Sequence, residues 1–129
     1  MPASIATVTV SFTCLRVACL LGLAGVLAGC QSDYAADIVN QTPQPVFAQI
    51  FSNTGSGPVL GANRRLGPGD RASIGPVRNQ TDNGAFLSVD SLPNPSRPVM
   101  VDLKPGTNFF VIMQDGTETA GPLRIVPKQ

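Results

Sequence analysis

The chain contains no histidine and no tryptophan, one tyrosine, three cysteines and, across 129 residues, only nine basic and eight acidic side chains. Each scarcity removes a class of function. Without imidazole, Ser-His-Asp and Cys-His catalysis and histidine-based metal sites are excluded. Arg64-Arg65 is the only adjacent pair of cations, and the rest are scattered singly. Such a pattern supplies neither the basic face nor the stacking aromatics of a nucleic-acid binder, so no nucleic-acid partner is expected. Cys14 and Cys19 lie in the apolar amino-terminal part, which leaves Cys30 alone in the remainder and rules out a disulfide within it. Copper handling needs several Met, Cys or His ligands, and beyond Cys30 only Met100 and Met113 are on offer. No metal or cofactor is therefore expected.

The amino-terminal part has a clear organisation. Arg16 precedes the apolar run Val17 to Ala28, which closes in the small residues Ala28 and Gly29 immediately before Cys30. That order of charge, apolar centre and small residues predicts a helical export signal over residues 1–29. The alternative, an uncleaved membrane span, asks for roughly 20 apolar residues, more than this run provides. Residues 1–15 carry no Lys or Arg, so Arg16 is the whole positive region.

Leu27-Ala28-Gly29-Cys30 resembles the lipobox of bacterial lipoproteins. The resemblance implies cleavage between Gly29 and Cys30 and a diacylglycerol on the cysteine sulfur, which withdraws that thiol from other chemistry. Multiple acyl chains hold a protein durably in a bilayer, whereas a single chain holds it only marginally. It also implies a place in the bacterial cell envelope, facing the periplasm. Gln31, where an Asp would favour retention in the inner membrane, leans towards the outer one. The polar stretch from Gln31 to Asp37 is expected to form a tether over residues 30–37, reaching at most about 25 Å, with Tyr34 at the membrane interface.

Residues 38–129 are expected to form one domain. Its runs of period-two alternation, rich in β-branched and aromatic residues, are bounded by Pro, Gly and Asn. Eight strands are predicted, over Asp37–Asn40, Val46–Phe51, Leu60–Leu66, Arg71–Ile74, Ala85–Asp90, Val99–Leu103, Asn108–Gln114 and Leu123–Val126. Alternation assigns Val46, Ala48, Ile50, Leu87, Val89, Val99, Val101, Leu103, Phe109, Val111, Leu123 and Ile125 to the core. Asn83-Gly84 and Asp115-Gly116 are tight-hairpin dipeptides. Ser52–Pro58 and Asp90–Pro98 are the expected loops. The predicted fold is an all-β, small immunoglobulin-like sandwich of seven or eight short strands.

Leu103-Lys104-Pro105-Gly106-Thr107-Asn108-Phe109-Phe110-Val111, nine residues, resembles a corner of fibronectin type III domains, although that family usually has Tyr at the place of Phe109 and a core Trp. Leu66-Gly67-Pro68-Gly69-Asp70 repeats Leu-x-Pro-Gly without the aromatic. Both are expected to turn the chain between sheets, with the leucine packed inside and a type II turn at Pro-Gly. The resemblance speaks to architecture only.

No catalytic residues are assigned. Lys104 and Lys128 are the lysines a Ser-Lys dyad would need, and their positions in a corner and near the last residue suit solvated side chains better. Asp115 and Glu118 suggest a hairpin tip more than a calcium site, which wants six or more oxygens. Arg64, Arg65 and Arg71 are candidates for anionic headgroups or an envelope polymer, against the simpler role of guarding a sheet edge. Phe47 and Phe51, or Phe110 and Ile112, are candidate outward apolar faces. The expected function is that of a membrane-anchored, non-enzymatic structural or interaction module with an envelope protein or polymer as partner. An accessory that escorts a secreted partner is the alternative, and would show a contiguous apolar patch. An unusual His-free enzyme would instead need a pocket gathering at least two Asp with an Arg or Lys.

Overall fold

A computed structural model describes residues 32–129 apart from positions 80, 82 and 96. The expected export signal, the cleavage position at Gly29 and the lipid acceptor Cys30 lie outside the described residues.

Eight strands alternate with short turns: β1 (Ser32–Asn40), β2 (Val46–Thr54), β3 (Gly57–Leu66), β4 (Arg71–Asn79), β5 (Ala85–Ser91), β6 (Val99–Leu103), β7 (Gly106–Gln114) and β8 (Leu123–Pro127). They form two four-stranded sheets, A in the order β4-β1-β7-β8 and B in the order β3-β2-β5-β6. Every neighbouring pair is antiparallel except β1 and β7. The domain is therefore an all-β sandwich, as its alternation predicts.

Inward side chains from both sheets close one core. Ala36, Ile38, Val46, Ala48, Ile50, Leu87, Val89 and Ile112 are all 0% exposed, and Val101, Leu123 and Ile125 pack against them half-buried. Leu66 and Leu103, the leucines of the two Leu-x-Pro-Gly corners, are buried as expected, and each corner carries the chain from sheet B to sheet A. Gly69 and Gly106 take the positive φ those turns need. An acidic or amide side chain ties each corner. The Asp70 carboxylate accepts from the Gly67 amide at 2.7 Å, and Asn108 accepts from the Lys104 amide at 3.0 Å while donating to the Lys104 carbonyl at 2.8 Å. Asn108 thus ties its corner through its own side chain, with a further donation to the Ala35 carbonyl at 3.1 Å.

Five expectations need correcting. Residues 32–37 are not a tether, because β1 begins at Ser32 and pairs with β4 from its first residue. Tyr34 belongs to the core at 4% exposure, since Tyr34, Ala36 and Ile38 share the inward face. In β7 the inward residues are Phe110 and Ile112, while Phe109, Val111 and Met113 face outwards. The uninterrupted apolar run Phe109 to Met113 carries no alternation from which its facing can be read. Asn83-Gly84 is not a hairpin, because β4 and β5 lie in different sheets, although Gly84 does adopt positive φ. The expected Ser52–Pro58 loop is itself mostly strand and narrows to Gly55-Ser56.

The two crossings from sheet A to sheet B share a device. Asn40, of Asn40-Gln41-Thr42, is the last residue of β1, and Asn79, of a second Asn-Gln-Thr that ends in Thr81, is the last residue of β4. In the first, the buried Asn40 Oδ1 accepts from the Thr42 amide at 3.0 Å and hydroxyl at 2.8 Å, and Nδ2 donates to the carbonyls of Gln44 at 2.9 Å and Gly67 at 3.0 Å. In the second, Asn79 Oδ1 accepts from the Thr81 amide at 2.9 Å and Nδ2 donates to the Gly84 carbonyl at 2.6 Å. Buried backbone polar groups at a crossing have no sheet partner, and an unmet one costs about 1–3 kcal/mol. The asparagine amide meets several at once.

Asn40→Ala is expected to destabilise the protein by about 3 kcal/mol or more, because it orphans several buried groups together. Urea denaturation checks this, and a loss below about 1 kcal/mol, the worth of a single ordinary hydrogen bond, would contradict the role given to the corner.

Candidate interaction surface

Side chains at odd positions of β2 and even positions of β5 and β6 stand on the outer face of sheet B. Register sets them in rows. Arg65, Phe47 and Asp90 form one, Asn63, Gln49, Ser88 and Met100 the next, and Leu60, Phe51, Phe86 and Asp102 the third. The rings of Phe51 and Phe86 stack with centroids 5.2 Å apart and planes 14° from parallel. Around this pair Leu60 and Met100 remain 44% and 60% exposed. The result is an apolar cluster of Leu60, Phe51, Phe86 and Met100 bordered by Asp102, with Phe47, Arg65 and Asp90 set apart from it by the polar side chains of Asn63, Gln49 and Ser88. Such a face on a folded domain marks an interaction site more often than chance exposure of single side chains does.

Of the residues singled out from sequence, Phe47, Phe51 and Arg65 meet on this face, Phe47 and Arg65 directly opposite each other across the strands. Arg64 opposes the inward-facing Ala48 and is exposed at the β3 edge, off this face. Arg71 opposes Val39 on the outer face of sheet A. The basic trio is thus not one patch. Phe110 and Ile112 are core, so their proposed outward face does not exist.

Phe86, Leu60 and Asp90 were missed. Phe86 was legible, because once Leu87 and Val89 are inward their neighbour must be outward. Leu60 was not, because the register of β3 shifts at the position of Gly61, between Ala62 opposite Ile50 and Leu60 opposite Phe51. A side chain at Gly61 would collide with the methyls of Val77 on β4, so a glycine is required where the two sheets approach. One carboxylate oxygen of Asp90, Oδ1, is sealed from solvent without a hydrogen-bond partner. Sequence carries no signal for such a group.

Three depressions lie elsewhere on the surface. A depression of about 350 Å³ on sheet A is lined by Asp37, Val39, Arg71, Phe109 and Lys128 among others. One of about 570 Å³ lies where the Ser91–Val99 and Gln114–Leu123 segments meet, with Arg97 and Glu118 at its walls. Beneath it, the buried Gln44 side chain donates to Gln114 at 2.7 Å and to the Gly121 carbonyl at 3.0 Å, and accepts from Ser91 at 2.5 Å. A third, of about 270 Å³, lies between β3 and the end of β4. None of the three gathers two aspartates. Asp115 pairs with Arg124 at 3.5 Å, and both Asp115 and Glu118 are exposed. Among the described residues no three acidic side chains come close enough to hold a metal ion.

No protein-family model matches the chain, and neither the curated proteins nor the solved structures include a match to it.

The Phe51–Phe86 stack is expected to show coupling of about 0.5–1.5 kcal/mol in a double-mutant cycle with Phe51→Ala and Phe86→Ala. Strictly additive losses in thermal or urea unfolding would mean the two rings do not act as one surface.

Proposed function

We propose that this protein is a lipid-anchored, non-enzymatic interaction module of the bacterial envelope, held to its membrane through Cys30 and facing the periplasm, with an envelope protein or polymer as partner. The observation that supports it most is one of position. The lipobox-like Leu27-Ala28-Gly29-Cys30 ends two residues before the first strand begins at Ser32, so cleavage there would release the whole sandwich intact with the cysteine at its first residue. Gln31 after the cysteine favours the outer membrane.

On this reading the outer face of sheet B is the surface that meets the partner, through Phe47, Phe51, Phe86 and Met100, with Arg65 at the rim. Aromatic side chains concentrated on a rigid sheet are what an interface core uses, and flanking charges then set specificity. The exposed apolar cluster of Leu60, Phe51, Phe86 and Met100 is also what the second reading calls for, an accessory that escorts a secreted partner with an apolar segment of its own. The two differ in the partner's fate. A structural module stays bound, whereas an escort releases its cargo.

Cys30→Ser is expected to move the protein from the membrane fraction to the soluble periplasmic fraction, as followed by fractionation and immunoblot. Retention of the variant in the membrane fraction would overturn the lipid anchor.

A further inference from the structure

If the anchor is as proposed, the fold decides which end of the domain touches the bilayer. Only Gln31 separates Cys30 from Ser32, so the lipidated sulfur lies within about 7–10 Å of the first residue of β1.

Three features converge at that end. Ser32 pairs with Asn79, the last residue of β4. Asn79 in turn donates to the Asn53 carbonyl at 3.3 Å, which brings the β2–β3 hairpin alongside. Just past the hairpin tip at Gly55-Ser56, Val59 and Leu60 are 54% and 44% exposed, the only adjacent pair among the large hydrophobics left exposed in the described residues. Tyr34 pairs with Gly106, which places the corner bearing the exposed Lys104 at the same end. Neither Val59 nor Leu60 belongs to the buried core. Val59 pairs with Ser52 and Leu60 with Phe51, yet both side chains project to solvent at the edge strand.

From these we infer that the β2–β3 hairpin and the Lys104 corner rest on the bilayer, with Val59 and Leu60 in the boundary between headgroups and acyl chains and Lys104 among the headgroups. This rests on the lipid-anchor reading and adds an orientation to it. Two aliphatic side chains would not hold a protein on a membrane by themselves. Beside a covalent lipid they need only fix the tilt of a domain already there. The opposite end, formed by the Ser91–Val99 and Gln114–Leu123 segments, then points away from the membrane by about one strand length, roughly 30 Å for nine residues. On the outer face of sheet B the row of Leu60, Phe51 and Phe86 then lies nearest the membrane, and the row of Arg65, Phe47 and Asp90 farthest from it, towards the periplasm.

The test uses the full-length, lipidated protein in liposomes of phosphatidylethanolamine and phosphatidylglycerol with brominated acyl chains. Cys30 is the only cysteine after the export signal and its sulfur is consumed by the lipid, so an introduced cysteine is the one free thiol. A fluorophore on Ser56→Cys is expected to be quenched several-fold more than one on Ala120→Cys at the far end. Adding Val59→Asp and Leu60→Asp is expected to abolish that difference while the protein still floats with the liposomes. Acylated, floating protein with equal quenching at both sites, or stronger quenching at Ala120, overturns the orientation alone. Protein that carries no acyl group and does not float overturns the anchor, and the orientation with it.

Discussion

The sandwich depends on how its chain crosses between sheets without stranding backbone polar groups in the core. Two asparagines carry much of that burden. Asn40 and Asn79 lie at opposite ends of sheet A, each nearly solvent-free, and each accepts from a threonine two residues on while donating to carbonyls of other segments. Asn40 goes further, reaching the Gly67 carbonyl in the β3–β4 corner, so the first crossing and the return to sheet A are held by one side chain. The same carboxamide that makes asparagine a poor strand residue makes it suited to a crossing, where it supplies donors and an acceptor in a fixed plane.

Much of the fold was legible in the sequence because the strands of sheet B are half-buried and alternate cleanly. Val46, Ala48 and Ile50 facing in, with Phe47 and Phe51 facing out, needs nothing beyond the pleat. Legibility failed for physical reasons in particular places. The run Phe109 to Met113 is apolar on both faces, since its outward residues lie beside Val39 and Val126 on a strand with neighbours on each side. The start of β1 combines small and polar residues of low strand propensity, and what recruits it is pairing with β4, more than thirty positions away. The parallel pairing of β1 with β7 leaves no local trace at all. The Asn-Gln-Thr string is visible twice, but its meaning lies in carbonyls brought from other segments.

The candidate surface was half legible. Phe47, Phe51 and Arg65 were singled out from the pattern and share a face, while Arg64 and Arg71 belong elsewhere. The structure adds Phe86 and Leu60, and with them a stacked pair instead of isolated rings. Edges matter to how that surface can be used. β3 carries Arg64 and Arg65 and is bulged at Gly61, and β4 carries Arg71, Arg78 and Pro76, devices that discourage pairing with another chain. β6 has only Asp102 in five residues, so it is the less protected border of the apolar face. An upright sheet bounded on one side by guarded strands presents a partner with one open approach.

All of this gains a biological setting only if the chain is cut and acylated where its sequence suggests. The most direct measurement is the mass of the amino-terminal peptide of protein purified from its own membranes. The account predicts a peptide that begins at Cys30 and carries a diacylglycerol. A peptide retaining Met1 to Gly29, or one beginning at an unmodified Cys30, would contradict it.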